Sequence, residues 1–97
     1  MSLFGISQNE MIQRLYRQAY RYQFGAEQDM NPAIKFLHNS YAKAYIDAIR
    51  DLFMDAEIQS AIGKKYWDLQ KRIHKTQDEL QAMGEKLYAE LRTRGLI

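Results

Sequence analysis

Apolar positions along this chain recur with the period of an α-helix, and no stretch of four or more residues alternates as a strand would. The first periodic segment, about 7–24, opens at Ser7. Glu10 follows three residues later in the reciprocal capping pattern, and Ile6 and Met11 flank the cap as a hydrophobic staple. Met11, Ile12, Leu15, Tyr16, Ala19 and Tyr20 then form one apolar stripe, with Arg14, Arg17 and Arg21 on the opposite side. Gly25 fits the left-handed position that ends many helices.

A short link leads to Asn31-Pro32, which reads as an N-cap followed by proline at the first helical position. The second helix runs over about 32–54. Ile34, Leu37, Tyr41, Tyr45, Ala48, Leu52 and Ala56 fall on one line, widened by Ala42, Ile46, Ile49 and Phe53. The apolar arc covers about 180°, more than the ~100° that faces a single partner, so this helix is expected between two other surfaces. Its polar strip is Asn39, Lys43, Asp47 and Arg50. A bend or short helix is expected over 55–63, with Asp55 as a cap and Gly63 as a break.

The last segment, about 64–94, is the most regular. Ile62, Tyr66, Leu69, Ile73, Thr76, Leu80, Met83 and Leu87 alternate spacings of four and three, a heptad seam with one polar position at Thr76, and Leu91 carries it on. Arg92 and Arg94 suit the negative end of the helix dipole, and Gly95 suits its stop. The pattern predicts an all-α chain, 1–97 as a single domain, folded as an antiparallel three-helix bundle with a long C-terminal helix of heptad character. The lengths do not match, however. The third helix spans ~46 Å and the first only ~27 Å at the standard rise per residue, so Leu87 and Leu91 outrun their neighbours. Either the second helix continues through 62 and forms a long hairpin with the third, or a second chain covers the excess, and self-association is the expectation drawn from the mismatch.

Composition narrows the chemistry. In 97 residues there is one proline and no cysteine, which removes disulfide, thiolate and cysteine-held metal sites. About 65% of the unfolded surface should be buried in a chain of this size, enough for one core. The net charge of +2 is too near neutral to argue for a nucleic-acid or membrane partner in bulk. No run is long and apolar enough for a membrane span, and no leader pattern opens the sequence, so a cytoplasmic protein without a membrane partner is expected.

Catalytic patterns are missing. No serine sits in a glycine-flanked elbow, no phosphate-binding glycine motif occurs, and the residues three before His38 and His74 are lysines rather than the glutamates a di-metal bundle site uses. Asp47, Asp51 and Asp55 line one helical edge and could hold a hard cation, but read better as a solvated edge or as partners for arginines. His38 projects into the apolar arc, where a hydrogen bond to a tyrosine hydroxyl or a backbone carbonyl is favoured over a ligand or pH-sensing role. The expectation is a non-enzyme with no cofactor and no metal.

Two surfaces remain. One is apolar: Tyr66, Leu69, Ile73, Leu80, Met83, Leu87 and Leu91 on the third helix, with Tyr41 and Tyr45 on the second, are candidate interface residues of a homo-oligomer, a dimer being favoured. The other is basic: Lys64, Lys71 and Lys75 share a helical face, with Trp67 and His74 along its edge, and could grip a polyanion such as a nucleic acid. Arg14, Arg17 and Arg21 make a second basic stripe, and convergence of the two on one face would strengthen that alternative. A non-catalytic helical protein that self-associates through the apolar faces of its second and third helices is the leading expectation. No family signature stands out among these residues.

Overall fold

The structure, a computed structural model, describes residues 5–97, so the first four residues of the expected domain lie outside the described residues. The described chain is all-helical, with four helices: α1 (Gln8–Gln28), α2 (Pro32–Leu52), α3 (Asp55–Ala61), a short helix within the segment 55–63, and α4 (Lys64–Thr93).

The helix starts follow from local chemistry. Ser7 Oγ accepts a hydrogen bond from Glu10 N at 3.1 Å, and Asn31 Oδ1 accepts from Ala33 N at 2.9 Å with Pro32 at the first turn. Each cap satisfies a donor that the helix cannot pair internally. At α3 the cap residue is Met54 rather than Asp55. The Glu57 carboxylate reaches back to accept from Met54 N at 2.8 Å, the half of a capping box that needs no hydroxyl. Gly63, at φ 79°, turns α3 into α4 through a left-handed conformation that a side chain would disfavour.

The end of α1 departs from expectation. The helix passes through Gly25 and continues to Gln28, with Asp29 N closing on Gly25 O at 3.0 Å. A Cβ on Gly25 would lie 3.2 Å from Nδ1 of His38 on α2. The glycine therefore serves the close approach of α2 instead of a helix stop.

Ile12 and Ala19 of α1, Ala42, Ile46 and Ile49 of α2, Ile58 of α3, and Tyr66, Leu69 and Ile73 of α4 form the buried core. Contacts fix the helix directions. Tyr66 OH donates to Ile46 O at 2.9 Å and Asn39 Nδ2 donates to Ile73 O at 3.0 Å, so α4 runs antiparallel to α2. Gln23 Nε2 donates to Thr76 Oγ1 at 2.9 Å and Tyr16 OH to Lys65 O at 3.4 Å, so α1 and α4 run the same way. Asn39, expected on the outer polar strip, is buried instead. Its amide also donates to Gln23 Oε1 at 3.2 Å, completing a Gln23–Asn39–Thr76 layer with one member from each long helix.

Beyond that layer α4 leaves the body. By the stagger of Asn39 against Ile73, α2 begins at Pro32 level with Leu80, and every residue over 81–90 is exposed. The molecule measures 59 × 21 × 20 Å with a radius of gyration of 16.8 Å, against about 12.5 Å for a compact chain of this length. A Schellman closure ends the projecting arm: Leu96 N bonds Leu91 O at 2.9 Å and Gly95 N bonds Arg92 O at 3.1 Å, with Gly95 at φ 73°.

Candidate functional site

The seam of α4 divides into two parts. Tyr66, Leu69, Ile73 and Thr76 are buried by α1 and α2 of the same chain and so are unavailable to a second one. This corrects the expectation that Tyr66, Leu69 and Ile73 lie at an interface: the core already occupies them. Leu80 and Leu91 are half-buried, whereas Met83 and Leu87 are 48% and 56% exposed. These four lie on one face of the arm at helical spacing, and among the described residues no helix covers that face beyond Leu80. Tyr88, 56% exposed, stands at its edge, an addition that the heptad spacing alone did not single out.

The second apolar surface lies on α2. Ile34, Leu37, Tyr41 and Leu52 are exposed along its outer flank. Tyr41 and Tyr45 are joined there by Tyr22 of α1, with ring centroids 5.1 Å and 5.8 Å away. The three tyrosines form one aromatic cluster whose outer edge is Tyr41. The wide apolar arc of α2 is thus only partly used: its inner portion is core and its outer portion faces outward.

Lys64, Lys71, His74 and Lys75 are exposed on α4. Trp67 is half-buried, standing edge-on to Tyr66 at 4.7 Å with the Arg50 guanidinium 5.1 Å from its ring centroid. The ring face nearest α2 is therefore occupied by a cation, where stacking of a base would need it free. Arg17 of α1 instead lines a groove of about 680 Å³ with Tyr16, Tyr20, Lys65, Asp68 and Arg72. The α4 bases in this groove are Lys65 and Arg72, and of the α1 arginine stripe only Arg17 lines it.

Within the groove, Arg72 is already engaged. It donates to both carboxylate oxygens of Glu27, at 2.9 Å and 2.5 Å, and its guanidinium lies 5.4 Å from the Tyr20 ring centroid. That hydrogen-bonded pairing holds Glu27 below the ordinary carboxylate range and raises Arg72 above its own. Burial raises Tyr16 above the usual phenol range.

His38 takes neither of the bonds expected for it. Among the described residues its buried Nδ1 has no hydrogen-bond partner, it is pressed towards Gly25, and its ring lies 6.1 Å from that of Tyr22. On the acidic edge, Lys43 Nζ pairs with Asp47 at 2.6 Å and Arg50 Nε stands 3.9 Å from Asp55. Among the described residues no group of three or more histidine, aspartate or glutamate side chains converges to hold a metal ion. No helix of the described chain is long and apolar enough to cross a membrane.

Comparison of the chain with family models, with curated proteins and with solved structures finds no match to any of them.

Proposed function

We propose that this chain is a non-catalytic assembly protein that associates with copies of itself through apolar faces of α2 and α4. In this reading, α1, α2 and α4 form an antiparallel three-helix body, with α3 as its connector and the end of α4 as the docking element. The observation that carries it is the continuation of the α4 seam, through Met83, Leu87 and Leu91, past the level at which its own neighbours end. Such a helix is marginal in water by itself, because a dozen residues without tertiary contacts gain little more than they lose in ordering. Pairing supplies the missing burial. The cysteine-free composition fits a reducing compartment such as the cytoplasm.

Solution mass across the micromolar range tests this. A mass rising from 11.5 kDa towards twice that value with concentration is expected, and a chain that stays at 11.5 kDa throughout overturns the proposal. Leu87→Asp should hold the protein monomeric while leaving the melting of the body unchanged, since Leu87 lies outside the core.

A second reading rests on the exposure of Lys64, Lys71 and Lys75, none of which takes part in an ion pair among the described residues. A polyanion such as RNA or DNA would be their partner, bound in a manner that weakens as salt rises and that is lost in a Lys71→Glu, Lys75→Glu variant. Absence of binding at low salt removes this reading.

A further inference from the structure

We infer that the partner of the α4 arm is the arm of a second copy of this chain, laid antiparallel, with the two-fold axis passing close to Leu87. This rests on the proposed self-association and specifies its geometry.

Sterics set the direction. The face of α4 that carries Met83, Leu87 and Leu91 is the same face that, nearer the start of the helix, is filled by α1 and α2 through Tyr66, Leu69, Ile73 and Thr76. Packed helices stand 8–10 Å apart. If two arms paired in parallel through this face, the α1 and α2 helices of both copies would have to occupy the same gap between the two α4 helices. Antiparallel pairing places the two bodies at opposite ends and leaves the gap to the arms alone.

The same constraint sets the register. The incoming arm can advance only until its tip meets the end of the partner's body, which lies level with Leu80. The overlap is then about Gln81 to Thr93 in each copy, and its midpoint falls at Leu87. In this register Leu87 packs on its own counterpart and Met83 on Leu91 of the other copy. Met30, 94% exposed in the link at the end of the body, faces the arriving tip with its exposed Leu96 and Ile97. The seam would thus be closed at both ends by apolar groups that the isolated chain leaves in water.

Charge agrees independently. Glu79, Lys86 and Glu90 lie along one flank of the arm, at spacings of seven and four. None of them is in an ion pair among the described residues. An antiparallel pair brings like flanks together, so Lys86 meets Glu90 of the other copy, twice by symmetry. A parallel pair would instead set this flank against the one bearing Gln77, Gln81 and Tyr88, which offers no acid or base next to the seam. The overlap is short, well under the interface of about 1,600 Å² typical of stable complexes, so the dimer dissociates readily on dilution.

Because the chain has no cysteine, single cysteines report the geometry directly. Under mild oxidation at concentrations where the mass shows a dimer, Leu87→Cys should cross-link with itself. Met83→Cys and Leu91→Cys should each fail to cross-link alone and should form the mixed disulfide when combined, since a disulfide needs Cβ atoms about 4 Å apart. Self-linked Met83→Cys would show a parallel pair and overturn the inference while leaving self-association intact. A dimeric mass with no cross-link from any variant would place the interface elsewhere and overturn it equally. A monomeric mass would remove the proposed function along with it.

Discussion

Gln23 on α1 donates its side-chain amide to Thr76 Oγ1 on α4 at 2.9 Å, in the last buried layer before α4 leaves the body. The same amide reaches Glu27 at 2.9 Å and Arg72 O at 3.2 Å, while its oxygen accepts from Asn39 at 3.2 Å. Three polar side chains, one per long helix, thus satisfy each other where apolar packing stops. A one-residue slip of any helix would leave a buried amide or hydroxyl unpaired, so the layer fixes register as well as adding stability.

Asn39→Ala should therefore cost more than an exposed polar truncation. It strips Gln23 Oε1 of its donor inside the body, while Ile73 O keeps its helical partner, and an unsatisfied buried group costs about 1–3 kcal/mol. Chemical denaturation should show a lowered midpoint of that order, whereas Ser40→Ala, one position further and exposed, should shift it by no more than about 0.5 kcal/mol. Equal effects at the two positions would mean that the layer has no structural weight.

Tyr66 gives the core an alkaline limit. The side chain is fully buried and its hydroxyl donates to Ile46 O at 2.9 Å, so burial pushes its pKa from the ordinary 10.0 up to about 12. A raised folded-state value favours the protonated form in the native protein. The contribution is intact below pH 10 and is lost as the pH climbs from about 10 towards 12, because the unfolded chain releases that proton more readily. Tyr66→Phe should lower stability at neutral pH by about 1 kcal/mol through the lost hydrogen bond. Its stability should then fall less steeply than wild type over that alkaline interval, and parallel curves would refute the assignment.

The two interior helical glycines separate packing from propensity. Around Gly84 an added Cβ would meet nothing within 4 Å, so Gly84→Ala should stabilise α4 by about 1 kcal/mol through helix propensity alone. At Gly25 the same methyl would stand 3.2 Å from His38 Nδ1, and His38 must give way before any propensity gain appears. Helical circular dichroism and melting of the two alanine variants should therefore diverge, Gly84→Ala gaining and Gly25→Ala gaining less or losing. Identical gains would mean that His38 does not press on α1.

These positions also show what could be read from residues in order. The starts of α1 and α2 were legible because Ser7, Glu10, Asn31 and Pro32 act within one turn of themselves. The end of α1 was not, because the reason for Gly25 is a ring on the next helix. Thr76 stood out as the one polar position of the seam, but its partners Gln23 and Asn39 sit on other helices, and Asn39 read as solvated by spacing alone. The seam was legible as a stripe. Which half of it was core depended on where α1 and α2 end, and that is settled by the stagger of three helices, a tertiary quantity. Trp67 likewise reads by spacing as the edge of a basic face, and the cation over its ring, Arg50, comes from another helix.

The last expectation follows from the change in surroundings along α4. Over 64–76 its inner face is held by core contacts from two helices, whereas over 82–93 it is buried by no other helix among the described residues. Amide exchange in dilute protein should accordingly be slow at Leu69 and Ile73, approaching the global unfolding limit, and fast at Leu87 and Leu91, where local opening costs little. Raising the concentration should slow exchange in the arm selectively, because pairing stabilises the helical arm by mass action while the body already opens only with the whole molecule. Arm protection that does not change with concentration would show that nothing pairs with the seam. Protection equal to that of the body at every concentration would show that the arm is ordered without a partner.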